Sequence, residues 1–212
     1  MRVNEIFYSI QGESSFAGRP CAFIRLTACD LRCSYCDTEY AFYEGKEMSV
    51  EEIVTAVEPY PTKLALVTGG EPMLQQNVHA LFAALLDRGY TVAVETGGQV
   101  WLRGVDLRVR KIVDLKCPSS GMMARNDYRN VECLTPSDEV KFVVGDRADF
   151  EWAAAKIQEY DLTARVGNVL VSPVHGKLPY DLLARWVLDS GLPIRLQLQL
   201  HKILWPGVER GV

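Results

Sequence analysis

Ala22-Phe23-Ile24-Arg25-Leu26-Thr27-Ala28-Cys29-Asp30-Leu31-Arg32-Cys33-Ser34-Tyr35-Cys36 joins a short apolar run to a loop that holds three cysteines. The run Ala22 to Leu26 reads as a buried strand. The thiols that follow lie within eight residues of one another, close enough to reach one inorganic cube. A fully ligated 4Fe-4S cluster takes four cysteines, whereas Cys21, Cys117 and Cys133 are scattered and none offers a fourth ligand by sequence proximity. One iron of such a cluster stays open, as a catalytic metal site keeps a position for its substrate or cofactor. The competing reading is a zinc site of three cysteines and one distant ligand, but closed zinc sites usually come as paired CxxC halves. For Cys21, Cys117 and Cys133, a role as small buried side chains suffices.

Outward from this loop, apolar runs recur at Leu64 to Val67, Val92 to Val94, Ile112 to Leu115, Val140 to Val144, Val169 to Val171 and Ile194 to Leu198. Between them lie amphipathic stretches of helical length, at Ser49 to Val57, Leu74 to Arg88, Arg147 to Tyr160 and Tyr180 to Asp189. Ser49 and Glu52 have capping-box spacing, and Gly89 is a left-handed helix stop. Strands alternating with helices predict a parallel sheet with right-handed crossovers, and roughly six or seven such units predict an α/β fold, an open or incomplete βα TIM-like barrel. Residues 1–212 read as one domain, with Lys116 to Ser137 as the main irregular insertion. TACD, TGGEP, ETGG, DLKCPSSG, VSPVHG and LHK follow the strands. Each alone is explained as a turn, but together they place polar and ligand-capable residues on the rim that carries the active site in βα barrels.

The 212 residues are 48% hydrophobic and 24% charged, with a mean hydropathy of -0.01, enough to bury one good-sized core. A net charge of -4 argues against a chain that neutralises nucleic-acid phosphates. No basic stretch leads into an apolar run at the amino terminus, and no segment has the length to cross a bilayer. The expectation is a cytoplasmic protein with reduced thiols, acting on a small molecule, with no nucleic-acid or membrane partner.

The CxxxCxxC loop, taken with Gly69-Gly70-Glu71-Pro72, resembles the radical S-adenosylmethionine superfamily. Glycines at a strand end allow close backbone approach to a ligand, and Glu71 could accept hydrogen bonds from a cationic amino group. The resemblance implies that the methionyl amino and carboxylate groups chelate the open iron. It implies too that an electron from the cluster cleaves the sulfonium to a 5'-deoxyadenosyl radical, which abstracts a substrate hydrogen. Over essentially the whole chain, the order of segments is similar to the 7-carboxy-7-deazaguanine synthase family. That order is Glu5 to Glu13 (EIFYSIQGE), the cysteine loop into Asp37-Thr38, TGGEP, Glu95-Thr96-Gly97, DLKCPSSGM, VKFVV, VSPVHG, and a tail of Gln199 to Pro206 closing on Arg210-Gly211-Val212. Ser14 departs from the pattern, standing where the family often has a glycine.

That resemblance implies conversion of 6-carboxy-5,6,7,8-tetrahydropterin to 7-carboxy-7-deazaguanine, by hydrogen abstraction at C6, ring contraction and loss of ammonia, as in queuosine and 7-deazapurine biosynthesis. Cys29, Cys33 and Cys36 would hold the 4Fe-4S cluster. Thr38 would give its hydroxyl to Mg2+, a hard cation that prefers oxygen. Tyr35, Asp37, Gly70, Glu71, Asp114, Lys116, Ser172 and His175 would line the S-adenosylmethionine site. Ile10, Gln11, Gly12, Thr68 and the Val212 carboxylate would meet the pterin. Arg25 would pair with the substrate carboxylate, its two donors matching two oxygens. An external electron donor such as flavodoxin and a homodimer are further implications. Three other readings stay open. One is a glycyl-radical-enzyme activating enzyme, against which the QGE start and HK tail tell; the others are a non-catalytic iron-sulfur carrier and a zinc-stabilised module.

Overall fold

The computed structural model describes residues 1–212. The chain opens with β1 (Arg2–Ile10), β2 (Pro20–Leu26) and β3 (Lys46–Glu47), then α1 (Val50–Val57), β4 (Leu64–Gly69), α2 (Val78–Asp87), β5 (Thr91–Thr96) and β6 (Arg110–Asp114). It continues through β7 (Glu139–Val144), α3 (Arg147–Glu159), α4 (Leu162–Arg165), β8 (Asn168–Pro173), α5 (Tyr180–Ser190), β9 (Arg195–Leu196) and α6 (Leu200–Leu204). One nine-stranded sheet runs in the order β3-β1-β2-β4-β5-β6-β7-β8-β9. β1 is antiparallel to β2 and β3, while β2 and β4 through β9 pair in parallel. The end strands β3 and β9 do not pair with each other, so the α/β barrel stays open.

Local chemistry sets several boundaries. Ser49 caps α1 reciprocally: its side chain accepts from Glu52 N at 3.1 Å, while its own N donates to Glu52 Oε2 at 2.7 Å. β1 ends at Ile10, and Gln11 to Glu13 enter a turn closed by Gln11 N to Arg19 O and Gly18 N to Gln11 O, both 2.8 Å. α2 starts at Val78 rather than Leu74 because Pro72–Leu74 makes a separate 3-10 turn, capped by Glu71. β9 is two residues long, shorter than the apolar run around it.

The alternation of strand and helix breaks twice, the second time at the irregular insertion expected from Lys116 to Ser137. No helix joins β5 to β6, and β6 reaches β7 through 3-10 turns at Pro118–Ser120, Met123–Arg125 and Tyr128–Cys133. Buried Asn130 supplies what a helix would have: its Nδ2 donates to Gly98 O at 2.9 Å and Val100 O at 3.0 Å, and its Oδ1 accepts from Leu102 N at 2.8 Å. Backbone groups in these crossovers are thereby satisfied without a ladder.

Alternation along each strand separates two faces. Ala22, Ile24, Leu26, Val67, Val94 and Val113 belong to a core of 35 buried residues that includes Phe82 of α2 and Phe150 of α3. The opposite face holds Phe7, Cys21, Phe23, Leu64, Leu66, Ala93 and Ile112, a cluster of seven. Two residues further along the same face, towards the carboxyl ends of the strands, the side chains turn polar: Phe23 gives way to Arg25, Leu66 to Thr68, Ala93 to Glu95 and Ile112 to Asp114. The inner face therefore has an apolar floor and a charged upper tier.

Candidate active site

That upper tier opens into a cavity of about 460 Å³ at the carboxyl ends of the parallel strands. Every residue expected from the sequence lines it except Ser172, which is buried on β8 with its hydroxyl unpartnered. The following residues, Val174 and His175, reach the lining instead, and His175 Nδ1 lies 2.8 Å from Tyr180 OH.

Cys29, Cys33 and Cys36 sit on the irregular loop after β2, unpaired and half-buried. The loop is braced on three sides. Ala28 holds a left-handed φ of 79°, a strained conformation for a residue with a side chain. It is fixed there by its N donating to Ala41 O at 2.9 Å and its O accepting from Glu71 N at 2.7 Å. Arg32 donates to Cys29 O at 2.8 Å and Leu31 O at 2.6 Å, and its guanidinium lies 4.2 Å from the Phe42 ring centroid. Ser34 N donates to Ser120 O at 3.0 Å and Ser34 Oγ to Ser119 O at 2.7 Å, while Ser119 N is held by Asp149 Oδ1 at 2.9 Å. A side chain at Gly70 would collide with Ala28 O and the Cys29 Cβ; only glycine lets the GGEP turn press on the cysteine loop.

Burial raises all three loop thiols above the ordinary cysteine range, and Lys116 opposes that rise at Cys33. Binding to iron would release their protons, since the thiolate is the ligand. No three His, Cys, Asp or Glu side chains converge tightly enough to hold a single ion; thiolates that each bind a different iron of a cube need not do so. Three thiols on one cavity wall, with Cys21 and Cys117 sealed in apolar surroundings, fit a cluster with an open iron.

Glu71 is fully buried. Its carboxylate accepts from Met73 N at 3.0 Å, Thr96 Oγ1 at 2.8 Å and Gly97 N at 2.8 Å. It ties two rim loops together as well as facing the cavity, and burial raises its pKa despite these donors.

A buried ionic network crosses the charged tier of the site. Lys141 Nζ lies 2.6 Å from Glu13 Oε2 and 3.7 Å from Asp114 Oδ2, and Lys116 Nζ lies 2.9 Å from the same Asp114 oxygen. Gln199 Nε2 donates to Glu13 Oε1 at 2.9 Å. Burial is the largest influence on Glu13 and Asp114 and would raise both, but the lysines, with Gln199 at Glu13, overcome it and hold both carboxyls below the ordinary range. Glu95 is less well served. Its Oε1 has no partner, and burial pushes its pKa up to about 7 against the pull of Lys141. Sequence reasoning named neither Glu13, Glu95 nor Lys141 as a site residue. The available signal was a charge at an inward position of an otherwise apolar strand, as in Val92-Ala93-Val94-Glu95 and Val140-Lys141-Phe142.

The opposite end is closed by the turn after β1 and the carboxyl-terminal segment. Gly12 O accepts from Leu200 N at 3.0 Å, and a side chain at Gly12 would strike the His201 ring. Ser14 takes the glycine-like φ of 63°, its Oγ accepting from Phe16 N at 3.1 Å and its O from Gln197 Nε2 at 2.9 Å; the turn keeps its shape without glycine. Asp37 Oδ2 pairs with Lys202 Nζ at 3.1 Å, and Thr38 Oγ1 donates to Asp37 Oδ1 at 2.9 Å. Desolvation lowers the pKa of His201, so its ring is neutral near pH 7. Glu209 and Val212 complete the rim.

The comparisons agree with this architecture. Residues 23–171 match the Radical SAM superfamily model, so the chain belongs to that superfamily, whose members use a 4Fe-4S cluster and S-adenosylmethionine. QueE from Escherichia coli superposes with a TM-score of 0.78 at 21% identity over 93% of both chains. Streptococcus suis SuiB bound to S-adenosylmethionine superposes with a TM-score of 0.56 at 12% identity over 88% of this chain and 54% of that one. Both show the shared fold. The 7-carboxy-7-deazaguanine synthase of Koribacter versatilis is 44% identical over 100% of both chains, and that of Chlorobaculum tepidum 45% over 100% of this chain and 97% of its own. Within the superfamily, the chain is a member of the 7-carboxy-7-deazaguanine synthase family.

Proposed function

We propose that this chain is a radical S-adenosylmethionine lyase that converts 6-carboxy-5,6,7,8-tetrahydropterin to 7-carboxy-7-deazaguanine with loss of ammonia. The observation that carries the reading is one cavity lined together by three free thiols, the Gly69-Gly70-Glu71 turn and Arg25. Cys29, Cys33 and Cys36 would hold the cluster, with Gly70, Asp114, Lys116, Tyr35, Asp37 and His175 around S-adenosylmethionine. The bound pair supplies a 5'-deoxyadenosyl radical by one-electron cleavage of the sulfonium. The chain itself binds, orients and shields. Arg25 offers two donors to the substrate carboxylate, while the Ile10-Gln11-Gly12 turn and Thr68 meet the pterin edge and fix C6 against the radical. The turn after β1 and the carboxyl-terminal segment, joined by Leu200 N donating to Gly12 O, would limit access of water.

Mg2+ would bind at Thr38, whose hydroxyl already donates to Asp37 Oδ1 and so turns its lone pairs outward, a hard oxygen donor beside a carboxylate. Substrate and water oxygens would fill most of the shell. An external one-electron donor such as flavodoxin, a homodimer and a cytoplasmic setting complete the reading. No helix is long and apolar enough to cross a membrane.

The test is anaerobic reconstitution and reduction, followed by incubation with S-adenosylmethionine, 6-carboxy-tetrahydropterin and magnesium, with both products followed by mass spectrometry. Formation of 7-carboxy-7-deazaguanine together with 5'-deoxyadenosine is expected. Formation of 5'-deoxyadenosine alone would refute the substrate, and neither product from cluster-loaded protein would refute the reaction.

A further inference from the structure

Arg25 is not a free guanidinium. Glu5 lies directly across the β1–β2 ladder from it, and the Arg25 Nε donates to Glu5 Oε1 at 2.8 Å. Tyr40 OH donates to that same Glu5 oxygen at 2.9 Å. The guanidinium lies 5.8 Å from the ring centroids of both Phe7 and Tyr40. The Glu5 and Arg25 side chains are only 17% and 14% exposed, so the pair is held in a partly dry, aromatic-walled slot. Its Nη groups make no hydrogen bond within the protein.

A guanidinium has two edges that can each take a carboxylate, and which edge is free decides where a second carboxylate binds. Glu5 occupies the Nε, so an incoming carboxylate is left the edge formed by the two Nη groups. The aromatic rings restrict rotation about the plane, and Tyr40 pins the carboxylate that does the holding. We infer that Glu5, steadied by Tyr40, is a positioning residue that presents the Nη edge of Arg25 to the substrate, and so sets the preference for a carboxylated over a carboxylate-free ligand. This rests on the proposed function, because it takes the carboxylate at Arg25 from that reading.

The experiment is calorimetric binding of 7-carboxy-7-deazaguanine and of 7-deazaguanine to the anaerobically reconstituted protein. Wild type should prefer the carboxylated ligand. Glu5→Ala should cut that preference about fivefold, the scale of one orienting hydrogen bond, with 7-deazaguanine affinity unchanged. Glu5→Gln should restore it, since the amide oxygen still accepts from Nε. Tyr40→Phe should cost about twofold, and decides the matter if Glu5→Ala does not fold. Under turnover, the same variants should raise KM and leave kcat alone. An unchanged preference in folded Glu5→Ala, or a Glu5→Gln that falls with it, overturns the inference. A wild type with no preference for the carboxylate overturns the assignment at Arg25, and this inference with it.

Discussion

The two faces of the same parallel strands are built to opposite specifications. On the outer face, alternate residues pack into a core of 35 buried residues beneath the helices. On the inner face an apolar floor of seven gives way, two residues further on, to Arg25, Thr68, Glu95 and Asp114. Burying apolar area stabilises by roughly 25 cal/mol per Å², and the outer face collects most of it. The inner face buries charges, which cost stability unless each finds a partner. Lys141 and Lys116 partner Glu13 and Asp114; Glu95 is left partly unpaired. Outward residues thus serve stability alone, while inward residues serve packing near the start of each strand and the site near its carboxyl end, and a substitution should act according to face and position.

Cys33→Ala gives the largest separation. It should take product formation to background and lower iron and sulfide content, while the melting temperature of the cluster-free protein barely moves, because Cys33 sits on a half-exposed loop outside both cores. A large loss of stability would break the distinction. Phe82→Ala is its outer-face counterpart. Chemical denaturation should show a loss of about 3–5 kcal/mol, with KM unchanged in the fraction that remains folded.

Titration sharpens the contrast within the inner face. Between the ordinary value of 4.5 and about 7, the folded chain keeps a proton on Glu95 that the unfolded chain has released. Its contribution to stability is therefore whole at low pH and lost as pH rises through about 7. Glu13 and Asp114, whose pKa values are lowered, act oppositely: their contribution is present above the ordinary carboxylate range and lost on acidification. Melting temperatures of Glu95→Gln and wild type should diverge in favour of the variant as pH is raised from about 5 to 7.5, and converge below. Parallel curves would show that Glu95 ionises freely.

The smallest effect concerns Ser14. Glycine there would relieve a left-handed strain of about 1 kcal/mol but forfeit the hydrogen bond from Phe16 N, itself worth about as much. Ser14→Gly should therefore shift stability by less than about 1 kcal/mol in thermal melts, with activity retained.

Much of this was legible from sequence because it is local. The strands announce themselves as Val-rich runs, the capping box at Ser49 is a three-residue pattern, and the rim motifs sit where each strand ends. What was not legible is either long-range or a substitution for regular structure. Lys141 and Glu13 are 128 residues apart in sequence, and neither marks the other. Asn130 replaces a helix between β5 and β6 by bonding two carbonyls and an amide, which no periodicity reveals. The GGEP glutamate reads as a ligand from its motif, yet only the structure shows it also bridging to Thr96 and Gly97. Ser172 lay one step too deep on β8, a matter of register that an apolar run does not specify.

The most direct measurement is to supply 6-carboxy-tetrahydropterin carrying deuterium at C6 and to weigh the 5'-deoxyadenosine formed under single turnover. A cavity that holds C6 against the radical source predicts that the 5'-deoxyadenosine formed in the presence of the pterin carries deuterium taken from C6. Unlabelled 5'-deoxyadenosine, formed whether or not the pterin is present, would contradict it.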